Sequence, residues 1–125
     1  MDKLKIAVVD DNNEFVEKLC RAVEIAGFEP IAVHVGRDHT KGYVLKMIRG
    51  AKVVLIDHSM PRFSGEDIAE LLSYDDEPPI LITTSDHIRA PFYTKDFLMG
   101  KLEYGAPGLA DSIKRKVGEI CEVAI

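Results

Sequence analysis

Short apolar runs rich in β-branched residues begin near Ile6, Ile31, Val53, Ile80 and Phe97. The interval after each run leaves room for one helix. The runs IAVV (6–9), VVLI (53–56) and ILI (80–82) show no polar alternation, as expected of strands buried on both faces of a parallel sheet. The pattern predicts an α/β chain of repeating βα units, doubly wound about one sheet.

The intervening segments carry helical periodicity. Phe15, Leu19, Val23 and Ala26 recur at helix spacing after Asn12 or Asn13 as caps, and Gly27 stands where a left-handed stop belongs. Val44, Leu45 and Ile48 precede Gly50, although Gly42 and Tyr43 dilute that signal. Ser64, with Asp67 three positions on, predicts the N-terminus of a short helix carrying Ile68, Leu71 and Leu72. Ile113, Val117, Ile120, Cys121 and Ala124 form the apolar stripe of a final helix, with Lys114, Arg115, Glu119 and Glu122 facing away. The segment 85–96 holds Pro91 and no clean stripe, so any helix there is expected to be short or distorted. No linker, repeat or low-complexity stretch divides the chain, and residues 1–125 read as one domain.

Composition narrows the function classes. Sixteen Lys and Arg against 21 Asp and Glu leave a net charge of -5, which disfavours direct binding of nucleic acid. The apolar runs are too short to span a bilayer, and the Met-Asp-Lys-Leu-Lys start is not a signal-peptide core, so a cytoplasmic location is expected. Cys20 and Cys121 match no metal spacing and make no disulfide framework. The four histidines, at 34, 39, 58 and 87, include no helical pair at metal spacing. The basic run Lys114–Lys116 is read as a solvated helix face.

In an open parallel sheet, ligands bind at the carboxyl ends of the strands. There the first strand ends in Asp10 and Asp11, the third in Asp57, and the fourth in Thr83, Thr84 and Ser85. If the first and third strands are neighbours, three carboxylates converge, and their repulsion calls for protons or a divalent cation. Mg²⁺ is the natural choice, being hard and oxygen-seeking. Strand-end aspartates that merely cap helices or face solvent are the plainer alternative. One threonine at 83 or 84 follows from strand propensity alone.

In these motifs the sequence resembles the receiver domains of bacterial response regulators. VVDDN (8–12), VVLIDHSMP (53–61) with Gly65 beyond it, and PILITTS (79–85) stand in the family's order across the whole chain. The resemblance implies a flavodoxin-like (βα)5 three-layer sandwich with a five-stranded parallel sheet in the order 2-1-3-4-5. It implies two-component phosphorelay signalling, in which Asp57 accepts a phosphoryl group from the phosphohistidine of a sensor kinase or phosphotransfer protein. Asp10, Asp11, Asp57 and the main-chain carbonyl of Ser59 would then hold Mg²⁺, with Asp11 rather than Asp10 the direct ligand of the acidic pair. Thr84 would be the hydroxyl that moves to the phosphate, Ser85 the small residue beside it, and Thr83 a core-facing neighbour. His58 is expected on the opposite side of the strand end. Such a chain is a phosphoacceptor that assists its own phosphoryl transfer rather than an enzyme. It acts through a downstream protein or an output domain, with no role at a membrane.

The pattern departs from the family at the fifth strand, where receivers carry Lys followed by Pro. Total spacing would place Ala106-Pro107 there and lose the cation, with Ile113 anchoring the final helix. Local composition instead makes Phe97-Leu98-Met99 the strand and Lys101 its terminal cation, with a long loop over 102–108. The second register is preferred, because Glu103-Tyr104-Gly105-Ala106 makes a poor buried strand. The usual aromatic residue three positions before that Lys is absent in both registers, which give Leu98 or Glu103. The missing Lys-Pro leaves a competing reading, a receiver-like scaffold that no longer uses phosphate. Flavin binding on the same topology lacks a hydroxyl- and glycine-rich loop after the first strand, where Asp10 and Asp11 would repel phosphate.

Overall fold

A computed structural model of the chain describes residues 3–57, 59–83, 94–97 and 106–121. Nine elements follow in order among these residues: β1 (Lys5–Asp10), α1 (Asn13–Ile25), β2 (Glu29–His34), α2 (Lys41–Met47), β3 (Val53–Ile56), α3 (Gly65–Leu72), β4 (Ile80–Thr83), β5 (Thr94–Phe97) and α4 (Ala106–Cys121). The five strands form one sheet, β2-β1-β3-β4-β5, and every pairing is parallel. The fold is the flavodoxin-like doubly wound sandwich that the sequence implies.

Strand alternation divides the core in two. Ile6 and Val8 of β1, Val53 and Leu55 of β3, and Ile82 of β4 point to one face. There they pack against Phe15, Leu19 and Val23 of α1 and Leu109, Ile113 and Val117 of α4. Ala7, Val9, Val54, Ile56 and Leu81 point to the other face, against Val44 and Ile48 on the α2 side and Ile68 and Leu72 of α3. Period-2 alternation makes both sets apolar when helices cover both faces, which is why the runs 6–9, 53–56 and 80–82 hold no polar residue and polar ones stand only at strand ends, as Lys5, Asp10 and Thr83 do.

The local signals act where the residues place them. Asn12 caps α1 by accepting from the N–H of Phe15, and Gly27 follows the helix at φ +97°. Thr40 caps α2, so Gly42 and Tyr43 fall in its first turn, and Gly50 stands beyond its end at φ +91°. Ser64 and Asp67 form a reciprocal capping box at the start of α3. In α4, Lys114, Arg115 and Glu119 are exposed opposite the buried Ile113 and Val117.

The fifth strand differs from the sequence expectation. It spans Thr94–Phe97 and so ends at Phe97, where an apolar strand Phe97-Leu98-Met99 was expected to begin. Among the described residues β5 lies at the sheet edge, paired with β4, and an edge position does not demand an uninterrupted apolar run. The final helix also starts early. Ala106, Pro107 and Gly108 belong to α4 rather than to a loop over 102–108 or to the end of a strand, which removes the Ala106-Pro107 register. Pro107 is tolerated there because a first-turn residue needs no helical N–H. Most of the segment 85–96 lies outside the described residues, and its last three positions are part of β5.

Candidate functional site

The carboxyl ends of β1 and β3 build the site. The two strands pair from Ile6 with Val53 through Val9 with Ile56, and the N–H of Asp57 continues the ladder by donating to the carbonyl of Val9 at 3.0 Å. Asp10 closes β1, and its carbonyl accepts the N–H of Val35 at 2.9 Å. Its carboxylate Oδ1 accepts the N–H of Asn12 at 3.0 Å, which turns the chain out of the strand and into the cap of α1. Asp11 lies within that turn, beside the positive N-terminal end of α1.

Carboxylate oxygens of Asp10, Asp11 and Asp57 lie within 4.8 Å of one another. Asp10 is 2% exposed, Asp57 is half-buried and Asp11 is exposed. Three negative charges at this separation repel strongly where one lies out of water. The donors are all hard oxygens and one flank is open to solvent, so the set fits a cation that keeps part of its water, as Mg²⁺ does.

The chain beyond Asp57 is held by buried apolar anchors. The N–H of Met60 donates to the carbonyl of Phe63 at 3.2 Å, closing the turn over Pro61 and Arg62. The side chains of Met60 and Phe63 are buried in the core shared with α2 and α3. Ser59 is exposed and forms an isolated antiparallel bridge with Ser64, which brings the start of α3 beside the segment that follows β3. Thr83 closes β4 in register with Ile56, the residue before Asp57. Thr84, Ser85, Lys101 and His58 lie outside the described residues.

One contact at the site was not legible in the sequence. His34, the last residue of β2, pairs with Asp10 and places its Nε2 3.0 Å from the carbonyl oxygen of Asp11. The sheet order alone would bring the end of β2 near Asp10. The strand register is needed to say which residue of β2 arrives there.

Cys20 lies away from this cluster, half-buried on α1 against the core beneath α1 and α4. Burial, reinforced by the charge of Glu24, raises its thiol from the usual 9.0 to about 11, which disfavours the thiolate and fits a packing role.

No protein-family model and no curated protein matches the sequence. Solved structures do. The response regulator TrrA from Thermotoga maritima, in complex with Mg²⁺ and beryllium fluoride, superposes with a TM-score of 0.70 at 21% identity, over 93% of this chain and 97% of that one. The receiver domain of the putative response regulator NarL from Mycobacterium tuberculosis gives 0.68 at 20% identity, over 93% and 97%. The chemotaxis response regulator CheY4 of Vibrio cholerae gives 0.65 at 17%, over 90% and 98%. The chain has the fold of CheY-like response-regulator receiver domains over nearly its whole length. Among the described residues, no helix is long and apolar enough to cross a membrane.

Proposed function

We propose that this chain is a receiver module of two-component signalling that accepts a phosphoryl group on Asp57. The observation that carries this reading is the meeting of Asp10, Asp11 and Asp57 at adjacent strand ends of a receiver fold. The complex of the TrrA neighbour with Mg²⁺ and beryllium fluoride supports it.

The chemistry follows from the donor set. A carboxylate oxygen of Asp57 forms a bond to phosphorus as the phosphorus–nitrogen bond of a phosphohistidine breaks. The bond pair returns to the departing imidazole, which is left neutral or takes up a proton from solvent, and Asp57 becomes an acyl phosphate. Asp10, Asp11, Asp57 and the carbonyl of Ser59 would hold Mg²⁺, which when bound offsets the charge of the phosphoryl oxygens and orients them. The ladder bond from Asp57 to Val9 holds the nucleophile's main chain, and the Met60 and Phe63 anchors hold the segment carrying Ser59. Thr84 and Lys101 are assigned the phosphate-contacting hydroxyl and cation on the receiver resemblance. The chain acts as a stoichiometric phosphoacceptor in the cytoplasm. A sensor kinase or phosphotransfer protein lies upstream of it, and a target protein or output domain downstream.

Incubation with acetyl phosphate and Mg²⁺, read by intact mass, tests this reading. One added phosphoryl group, absent without Mg²⁺ and absent in Asp57→Asn, is expected. A modification that survives Asp57→Asn would move the acceptor elsewhere. No gain of mass with any small-molecule donor would favour the phosphate-independent scaffold.

A further inference from the structure

Two consecutive residues at the end of β2 meet two consecutive carbonyls at the end of β1. Val35 donates its main-chain N–H to Asp10, and the imidazole of His34 reaches the carbonyl of Asp11 at 3.0 Å. A carbonyl oxygen only accepts, so His34 carries a proton on Nε2 and donates it. Both the neutral Nε2–H tautomer and the imidazolium offer that donor, so the bond requires no change of charge.

The three carboxylates are positioned by different means. Asp10 is buried and belongs to a paired strand. Asp57 is half-buried and its main chain is tied to Val9. Asp11 is exposed, follows the last strand residue and precedes the cap of α1, so packing restrains it least. We infer that His34 is a positioning residue for the acidic cluster: its Nε2–H holds the Asp11 peptide so that the Asp11 carboxylate stays within reach of Asp10 and Asp57. Ordering that carboxylate in advance lowers the entropy lost when a cation binds. The role presupposes that the cluster takes Mg²⁺.

The test titrates Mg²⁺ into the full chain, followed by amide NMR shifts, in wild type, His34→Ala and His34→Gln, with thermal unfolding of each in EDTA. His34→Ala is expected to weaken Mg²⁺ binding by about tenfold while the metal-free melting temperature holds, because His34 is exposed. His34→Gln, which supplies an amide N–H donor, is expected to recover most of the loss. Wild-type affinity in His34→Ala would overturn the inference. So would an alanine loss that glutamine does not recover, or a matching loss of metal-free stability, which would mark a structural role instead. A wild-type chain that binds no Mg²⁺ would overturn the metal reading of the cluster itself, and this role with it.

Discussion

The main-chain N–H of Asp57 donates to the carbonyl of Val9 at 3.0 Å, so the proposed phosphoacceptor leaves its strand in step with the acidic pair that follows Val9. A ladder bond of this kind holds the backbone at Asp57 before any ligand arrives. Repulsion among three carboxylates within 4.8 Å of one another is then built into the folded state. Mg²⁺ is therefore expected to raise the melting temperature, reaching about 2.7 kcal/mol of added stability at roughly one hundred times its dissociation constant. Asp11→Asn and Asp57→Asn should each flatten that response. Differential scanning calorimetry across a Mg²⁺ series checks it, and an unchanged response in both variants would show that the ion binds elsewhere.

The capping box of Ser64 and Asp67 satisfies two backbone N–H groups at the start of α3, with bonds of 3.2 and 2.9 Å. Ser64→Ala is expected to cost about 1 kcal/mol in urea denaturation. The bridge from Ser64 to Ser59 is a main-chain pairing that alanine retains, so the same variant should be phosphorylated by acetyl phosphate at close to the wild-type rate. A several-fold lower rate would show that the cap also sets the geometry of the site.

Leu55 and Ile68 are buried in opposite halves of the core. Truncation to alanine is expected to destabilise by about 2–5 kcal/mol at either position, measured by the same denaturation. Each value reports a cavity on one face of the sheet, and a loss below about 1 kcal/mol at either site would contradict the two-faced core.

Cys20 gives a pH prediction whose sign follows from its raised thiol. The folded chain holds that proton more tightly than the unfolded chain, so the stability it contributes is fully present below 9.0 and is lost as pH rises through about 11. Across that window wild type should lose more stability than Cys20→Ala, comparing slopes rather than absolute values. Parallel slopes would mean that burial does not disfavour the thiolate.

On the proposed function, Thr84 couples phosphorylation to conformation, because phosphate adds interaction energy to the arrangement in which the hydroxyl reaches it. Amide exchange with and without fluoroberyllate should change most over residues 85–96. Changes confined to α1 and α2, or a Thr84→Ala chain that responds like wild type, would defeat this switch.

Much of this molecule is written in short windows of sequence. The uninterrupted runs of β1, β3 and β4 state burial on both faces. Asn12, Ser64 and Asp67 mark helix starts, and Gly27 and Gly50 adopt the positive φ that follows two helices. These signals are legible because each rests on the conformational preference of a few neighbouring residues. Asp10, Asp11 and Asp57 were legible as a group because strand ends are where open parallel sheets bind ligands.

The tertiary structure decided what depends on register and on position in the sheet. The polar strand Thr94–Phe97 reads as no strand by its apolar content. It becomes one through parallel pairing to β4 at the edge of the sheet, which relaxes the demand for apolar side chains. The start of α4 at Ala106 was likewise hidden behind a Pro-Gly pair that reads as loop. The contact of His34 with Asp11 joins positions far apart along the chain, and no local preference encodes it. It exists because the parallel ladder of β1 and β2 ends with Asp10 opposite His34, and that register is set by hydrogen bonding and burial along the whole strand pair.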